Sequence, residues 1–469
     1  MDTQSRWEPL AWAHHTFGTA TLGDARRTGR VVQTAARMVR RPSGSLPEQM
    51  GSPAATEGVY DLLAETDVSF AALSTPHWQQ TRHAARAQPL VLLIQDSTQA
   101  DFTRFRSIDH LGPIGDGYGR GYMLHTTLAV VPQPREVLGI AYQQPWFRQP
   151  PPLHETRTQR AARPRESQVW GQAVTAIGWP PEGVQWVDVG DCASDIFAFC
   201  ATCRQQQHDC LVRVAQNRRI EPAAAEGETP SPVQTTYLLD FARGLDGVAT
   251  GRRLDLPARE KQPARTASLA LAYGRLSLAA GWQDGQAAAL PMWVIRVWEP
   301  LPPDNVAEPI EWVLLTSVPT ETVSEGWARA AWYSCRWLVE DYHKCLKTGC
   351  DLQARRLSDG AKLLRLLGLL APIAVYLLQL REWARLTPER LAREVLPADL
   401  LAVVAHLAHL PSARLTLGQF WRAVATHGGY QGRKSDGPPG WQTLWKGWQH
   451  IQTLLAGVRL AALLPPDDT

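Results

Sequence analysis

Three acidic residues occupy positions from which their carboxylates could act together. Asp96 follows the apolar run 90–94, and Asp191 follows the strand-like stretch 184–189. Glu340 lies much later, on a predicted helix. Because strands that end at one edge of a sheet direct side chains into the same crevice, the two aspartates can meet although they are far apart in sequence.

Three oxygen ligands in one crevice suit Mg²⁺ or Mn²⁺, which take a few carboxylates together with water and phosphate oxygens. Two such ions, about 3.5–4 Å apart, can activate an attacking oxygen and stabilise a leaving one. Asp188 competes with Asp191 for this role, but it lies inside the predicted strand. We therefore prefer Asp191 as the ligand.

Polar side chains also line the segment 333–347, which contains no proline or glycine and is predicted to form one helix. At about 100° per residue, Tyr333, Arg336 and Lys347 fall within about 40° of Glu340. Such a stripe is typical of a solvated face with i, i+4 ion pairs. It could equally hold phosphates, since arginine binds them bidentately and lysine as a point charge. The spacing alone leaves both interpretations open.

A second group of cations lies near the N-terminus, on a helix predicted from Ala25 to about Arg41 with Asp24 as its N-cap. One face of this helix carries only arginines as its charged residues, namely Arg26, Arg30, Arg37, Arg40 and Arg41. A face without acidic partners in its own helix predicts a phosphate-binding surface. The alternative is that these arginines pair with carboxylates elsewhere in the fold.

The elements that would position the carboxylates begin at Pro89. Apolar and alternating stretches predict the order β-β-β-α-β-α-β, with a hairpin around the turn 132–134. The strands are 90–94, 123–131, 137–143, 184–189 and 210–214, and the helices are 166–179 and 195–206. Residues 216–318 break the pattern with proline, glycine and short β-like pieces (267–272, 275–280, 292–298 and 311–316), which predicts an inserted β domain. An all-helical region is expected from there to about Leu464.

Composition excludes few classes of protein. The 469 residues are 44% hydrophobic and 20% charged, with a net charge of +3. Seven scattered cysteines and an N-terminus without an apolar run predict a soluble cytoplasmic protein. The uncharged stretch 366–380 is too short to span a bilayer, so a buried helix and no membrane association are expected.

Two weaker motifs are interpreted structurally. Gly115-x-Gly117-x-Gly119 precedes a predicted strand rather than opening a helix, which favours a hairpin over a nucleotide-binding loop. Cys200-x2-Cys203 with Cys210 lacks a second pair, so reduced thiols in the core are expected rather than zinc.

The spacing Tyr333-x2-Arg336-x3-Glu340-x6-Lys347 resembles the YREK signature of bacterial cut-and-paste DDE transposases of the insertion-sequence-four family, of the Tn5 type. The resemblance extends over most of the chain, but it is weak in 216–260 and 385–435. After Asp191 the chain has Cys-Ala-Ser, where many relatives have a charged pair. The matching segments are 22–27, 57–60, Asp191-x3-Asp195-Ile196, 263–268, 312–317, 347–349 and 444–448.

The resemblance implies an α/β fold, an RNase H-like catalytic core with an inserted β domain and with helical domains on both sides. It implies that Asp96, Asp191 and Glu340 bind two Mg²⁺ or Mn²⁺ ions per active site. Such enzymes nick one strand with water, form a hairpin with the freed 3′-OH, resolve it and join the 3′ ends to target DNA as a homodimer. Other residues would contact double-stranded DNA: Tyr333, Arg336 and Lys347 near the scissile phosphate, Trp312 on a flipped base, Arg213 beside the site, and Arg26, Arg27, Arg30, Arg37 and Arg40 on the transposon end.

The expected domains follow from these assignments. They are an end-binding domain (1–85), the first part of the core (86–215), the β insert (216–318), the core helix with Glu340 (319–352) and a dimerisation domain (353–469).

Two other functions stay open. One is a transposase-derived DNA-binding protein or inhibitor without catalysis, which a start at Met50 could produce by removing the arginine helix. The other is an RNase H-like nuclease that never joins strands.

Overall fold

One sheet of twelve strands runs through the described part of the protein, with helical regions on both sides. The computed structural model describes residues 8–150, 152, 154–156, 158–159, 163–222, 236–256, 263–281, 287–304, 306, 308–433 and 436–462. The fold is therefore a mixed α/β arrangement.

The sheet begins with antiparallel strands. β1 (Leu90–Asp101) pairs with β3 (Gly119–Val131), and β3 pairs with β4 (Glu136–Trp146) across the predicted hairpin turn. The short β2 (Gly112–Ile114) pairs with the start of β3, so the glycine-rich segment forms a hairpin as expected. Residues 91–94 of β1 are almost completely buried, because helices cover both faces of this strand.

Two further strands run parallel to β1. β5 (Gln185–Gly190) pairs with β1, and β6 (Asp209–Arg213) pairs with β5. Parallel neighbours need a crossover connection. Helix α6 (Val169–Ile177) lies before β5 and α7 (Phe197–Gln205) lies between β5 and β6. The observed order thus matches the predicted β-β-β-α-β-α-β pattern, with the added short strand β2.

The segment predicted as an inserted domain continues the same sheet, because β12 (Glu311–Thr316) pairs antiparallel with β6. The pieces 267–272 and 275–280 were expected as separate strands, which is wrong. They belong to the single strand β10 (Arg265–Leu278), in which Gly274 keeps its pairing with Val294. The remaining elements here are β7 (Arg219–Pro222), β8 (Thr236–Tyr237), α8 (Leu238–Gly244), β9 (Val248–Leu256) and β11 (Leu290–Trp298). The stretch 251–261, which contains four basic residues, lies partly outside the described residues.

Five helices precede the sheet: α1 (Pro9–Phe17), α2 (Ala25–Met38), α3 (Leu46–Met50), α4 (Pro53–Ala64) and α5 (Phe70–Arg86). The arginine helix α2 begins as predicted, with the Asp24 carboxylate accepting a hydrogen bond from the backbone N–H of Arg26 at 2.8 Å. It ends at Met38, about one turn earlier than expected. Its apolar face is buried, so the arginine face points outward.

The segment 333–347 is not one helix. Two residues separate α9 (Val323–Ser334) from α10 (Trp337–Lys344), and a π-helical turn follows from Cys345 to Gly349. At the junction the amides of Cys335 and Arg336 bond to carbonyls three residues back, which tightens the turn. The predicted angles of Tyr333 and Lys347 around a single helix are therefore wrong.

The C-terminal region consists of α11 (Gly360–Leu386), α12 (Ala398–Leu407), α13 (Leu417–His427) and α14 (Trp441–Ala461). Within α11, residues 360–383 are long and apolar enough to cross a membrane by length and composition, with a mean hydropathy of 2.0. The stretch is 83% buried inside the protein, where it packs against α5, β4 and α14. The buried helix expected at 366–380 is thus present. The last helix, α14, ends at Ala461, and Leu464, where the helical region was expected to end, lies outside the described residues.

Candidate active site

Asp96 lies within β1, and Asp191 directly follows the parallel neighbour β5. The prediction that the first strand ends before Asp96 is wrong, because β1 stays paired with β3 as far as Asp101. Ile94 of β1 pairs with Val189 of β5, so two residues further along each strand bring the two aspartates side by side. Asp191 directly follows β5, and its Oδ1 accepts a hydrogen bond from the N–H of Ala193 at 2.8 Å. Strand register therefore places two of the predicted carboxylates together.

The three predicted carboxylates act on one another electrostatically. Burial, followed by the charge of Asp191, raises the pKa of Asp96 to about 7. Glu340 adds a smaller effect in the same direction, whereas a hydrogen bond from Ser97 and the charge of Arg336 oppose it. The result is a concentration of negative charge around a side chain that is only 18% exposed.

Glu340 is engaged by a cation. Its Oε1 lies 2.7 Å from Nη2 of Arg336, one helical turn earlier. The Nε atom of Arg336 is buried and has no hydrogen-bond partner. Among the described residues, no three His, Cys, Asp or Glu side chains are grouped so that they could hold a metal ion. The predicted triad is thus not gathered into a metal cluster in this conformation.

Aromatic rings cover one side of this region. The ring centroid of Trp312, on β12, lies 5.5 Å from that of the buried Tyr333 and 5.6 Å from that of Trp337. The guanidinium carbon of Arg336 lies 5.9 and 5.7 Å from the centroids of Tyr333 and Trp337. Trp337 is 41% exposed, and the sequence interpretation missed it although it follows Arg336 directly. Trp312 is partly buried and packs against the main hydrophobic core.

Arg213 reaches the same side from the end of β6. Its Nη2 donates to the carbonyl oxygen of Glu311 at 3.4 Å. Burial raises the pKa of Tyr333, and the charges of Arg336 and Arg213 lower it. Burial likewise raises the pKa of the Cys192 thiol, against the charge of Arg213. Arg213 is therefore close to the residue that follows Asp191, as predicted for a residue beside the site.

Lys347 lies on the other side of Asp96. Its Nζ donates to Oγ1 of Thr98 at 2.7 Å, two residues beyond Asp96 on β1. Burial lowers the pKa of Lys347, while the charges of Asp96 and Asp101 raise it. The π-helical turn places this ammonium group beside the strand, so Lys347 joins the site by a route that the single-helix prediction did not describe.

A buried histidine lies behind Asp96 and was not predicted. His343 Nδ1 is 3.9 Å from Oδ2 of Asp96, and its Nε2 shares a hydrogen bond of 3.2 Å with Oγ1 of Thr126. Thr126 is the residue opposite Asp96 in the pairing of β1 with β3. Burial lowers the pKa of His343 to about 3, so the ring is neutral. Its position three residues after Glu340 on the same helix was the signal that could have identified it.

The carboxylate of Asp188, the alternative metal ligand, takes part in a hydrogen-bond network in the protein core. It is fully buried, and its oxygens accept hydrogen bonds from Nε2 of Gln95 and from the His208 ring, both at 2.6 Å. A carboxylate held in this way has no free side toward the crevice. The preference for Asp191 over Asp188 is consistent with this arrangement.

The N-terminal arginines separate into two groups. Arg26 pairs with Asp24 at 2.9 Å, and Arg27 pairs with Glu65 and, at 2.8 Å, with Asp67. The expectation of a face without acidic partners is therefore wrong for Arg26, whose partner Asp24 is the N-cap of the same helix. Arg27 was not counted on that face, and its two partners follow α4. The other arginines form no ion pair with any carboxylate in the described chain. Arg30 and Arg37 donate hydrogen bonds to the carbonyl oxygens of Gly58 and Met50, respectively. Arg37, Arg40 and Arg41 line a cleft of about 670 Å³ that faces α14.

All seven cysteines are free thiols, and Cys200, Cys203 and Cys210 are buried together near α7. At the glycine-rich hairpin, Tyr118 is 88% exposed.

Comparison with known proteins matches both ends of the chain. Residues 9–68 match the family model for the transposase DNA-binding domain, and residues 373–464 match the one for the Tn5 transposase dimerisation domain. The first match contains α2 with its arginines, and the second contains α12, α13 and α14. Two segments of the chain are thus similar to transposase domains, one for DNA binding and one for dimerisation.

A solved structure with some similarity is the cryo-EM structure of the piggyBac transposase synaptic complex with hairpin DNA. The TM-score is 0.35 and the identity 9%, over 99% of this chain and 82% of that chain. A similarity at this level does not establish a shared fold.

Proposed function

We propose that this chain, with DNA-binding and dimerisation segments of the Tn5 type, is a cut-and-paste DNA transposase. It binds transposon ends as double-stranded DNA, cuts them through a hairpin intermediate and joins the 3′ ends to target DNA. It works as a homodimer in the bacterial cytoplasm, and its central sheet is an RNase H-like core of the insertion-sequence-four family.

The observation that carries the proposal is the position of Asp96 beside Asp191 between the two matched segments. The strand order β4-β3-β1-β5-β6, antiparallel and then parallel with intervening helices, is the arrangement expected of an RNase H-like core. In that arrangement the catalytic carboxylates lie within β1 and directly after β5. The Glu340 carboxylate reaches the same region from α10, as its effect on the pKa of Asp96 indicates.

Asp96 and Asp191 would hold Mg²⁺ or Mn²⁺, with Glu340 as a third ligand. The donors are hard oxygens, and burial followed by the charge of Asp191 raises the pKa of Asp96, so a divalent cation would stabilise its ionised form. When bound, two such ions supply activation of the attacking oxygen and stabilisation of the leaving one. Glu340 would have to give up its ion pair with Arg336 to take part.

The remaining site residues bind and orient the DNA. Arg336 has an unpartnered buried Nε, so a phosphate that approaches α10 would complete its hydrogen bonds and release Glu340. Lys347, held by Thr98, would place a second cation on the opposite side of Asp96. Trp312 offers a ring face for an unstacked base beside Tyr333. Arg30, Arg37 and Arg40 would bind backbone phosphates of the transposon end.

The test is an assay with labelled duplex that carries the inverted repeat bordering the gene, in the presence of Mg²⁺. Hairpin products and joined products are expected. Nicks without joining would indicate an RNase H-like nuclease instead.

A non-catalytic DNA-binding protein is the second candidate, since Glu340 pairs with Arg336 and no described group of three side chains is arranged to hold a metal. The same assay separates the two functions. Tight binding of the end without any cleavage would favour the non-catalytic protein.

A further inference from the structure

A second basic surface lies near the carboxylates, on the side of Asp96 that faces away from Trp312. β1 has β5 on one side and β3 on the other, and β6 and β12 with Arg213 and Trp312 lie beyond β5. The loop after β1 instead folds toward β3. The N–H of Phe102 donates to the carbonyl oxygen of Arg120, at the start of β3, at 2.8 Å.

Phe105 holds two guanidinium groups on this side. The Cζ atoms of Arg104 and Arg356 lie 4.7 and 5.0 Å from the centroid of its ring. Arg104 also donates from Nη2 to the carbonyl oxygen of Gln353 at 3.0 Å, which ties the two loops together. Because stacking on an aromatic ring restricts a guanidinium without neutralising it, both cations are positioned in advance for a ligand.

The segment that carries Arg356 is anchored to the N-terminal region. Its neighbour Arg355 is buried and donates to the carbonyl oxygens of Pro42, Gly44 and, at 2.7 Å, Cys350. Arg356 therefore extends from a fixed base rather than from a loose loop.

The three arginines of this surface are not paired with carboxylates. Arg104, Arg106 and Arg356 are exposed, and none of them forms an ion pair with a carboxylate of the described residues. Asp101, the nearest acid on β1, already accepts hydrogen bonds from the N–H and hydroxyl of Thr103 at 2.8 and 2.6 Å. A cleft of about 630 Å³ connects Arg104 to Lys347, and Asp101 and Asp351 line it as well.

We propose that Arg104, Arg106 and Arg356 form the surface that holds target DNA during strand transfer, an inference that rests on the proposed function. Joining requires a second duplex to reach the carboxylates while the cut end still occupies them. The side with Trp312 and Arg213 receives the end, which leaves the side with Phe105 for the target. Guanidinium groups that contact phosphates bind duplexes of any sequence, as a target site requires.

The experiment compares the full-length wild type with the double variant Arg104→Ala/Arg356→Ala and with Arg204→Ala, which removes an exposed arginine of α7 that forms no ion pair among the described residues. A pre-cleaved duplex carrying the inverted repeat that borders the gene is joined to a plasmid. Joining by the double variant should fall about tenfold, and the logarithmic salt dependence of plasmid binding should fall by about two. Binding and cleavage of the uncut end should stay at the wild-type level, and Arg204→Ala should behave as wild type.

The double variant Arg104→Lys/Arg356→Lys keeps the charge and should retain most of the joining, which separates a charge effect from misfolding. Undiminished joining by the alanine variant, with an active wild type, would overturn the inference alone. A parallel loss of end binding would assign the surface to the end and overturn it as well. A wild type that binds the end but never joins it would overturn the proposed function and this inference with it.

Discussion

Asp96, within β1, and Asp191, directly after β5, stand side by side in a register fixed by the pairing of Ile94 with Val189. The apolar residues that precede each aspartate bury the strands and so determine where the carboxylates emerge.

Replacing Glu340 by Gln, or Asp191 by Asn, should abolish cleavage of end DNA and leave end binding intact. Loss of a metal ligand should reduce the rate more than about 100-fold, since outer-shell partners of ligands already contribute about 10–100-fold. Labelled-end cleavage and gel-shift affinity measure the two properties separately. Turnover near the wild-type rate in either variant would refute the ligand assignment.

The Mg²⁺ requirement should depend on pH near neutrality. Because the pKa of Asp96 is raised to about 7, a proton competes with the cation below that pH. The Mg²⁺ concentration for half-maximal cleavage should therefore rise up to about tenfold per unit as the pH falls below 7. Cleavage titrated with Mg²⁺ between pH 5.5 and 8, in buffers of constant ionic strength, tests this expectation.

The same pKa predicts how the metal-free protein unfolds. The folded state binds the Asp96 proton more tightly than the unfolded chain, whose pKa is near 3.8. The stability from this group is thus fully present below about 3.8 and is lost as the pH rises through about 7. Unfolding midpoints in EDTA should fall over this window in the wild type more than in Asp96→Asn. Equal pH profiles would contradict the raised pKa.

His343 should act as a positioning residue for Asp96. His343→Ala removes the link to Thr126 and should lower cleavage about 10–100-fold and weaken Mg²⁺ binding, with end binding unchanged. His343→Asn, which can still hydrogen bond to Thr126, should retain more activity. Calorimetric titration with Mg²⁺ distinguishes loss of positioning from a general loss of stability, because only the former weakens metal binding in a folded protein.

Arg30 and Arg27 should differ although they share one helix. Arg30 forms no ion pair in the described chain, so Arg30→Ala should weaken end binding and reduce its logarithmic salt dependence by about one. Arg27 is held by Glu65 and Asp67, so Arg27→Ala should mainly lower the unfolding midpoint. An unchanged affinity and salt dependence for Arg30→Ala would remove that residue from the DNA contact.

The sequence predicted those parts of the fold that depend on local pattern. The apolar start of β1 and the helix with Arg30 were recognised because buried strands are apolar and α-helices repeat every 3.6 residues. The polar continuation of β1 through Asp96 to Asp101 was not recognised, since no apolar run marks it. The junction after Ser334 was not, because no proline or glycine marks it and tertiary packing produces it. The partners of Arg27 and the contact between Phe105 and Arg356 were also missed, since they join residues that are remote in sequence.

The π-helical turn from Cys345 to Gly349 has a consequence for evolution at this site. Such a turn holds one more residue than an α-helical turn of the same height. If one residue were deleted here, the π-helical turn would become an α-helical turn and the helix would still form. The ammonium of Lys347, however, would swing by about 100° around the axis and lose Thr98. The six residues between Glu340 and Lys347 thus determine the direction of the ammonium group, and not whether the helix forms.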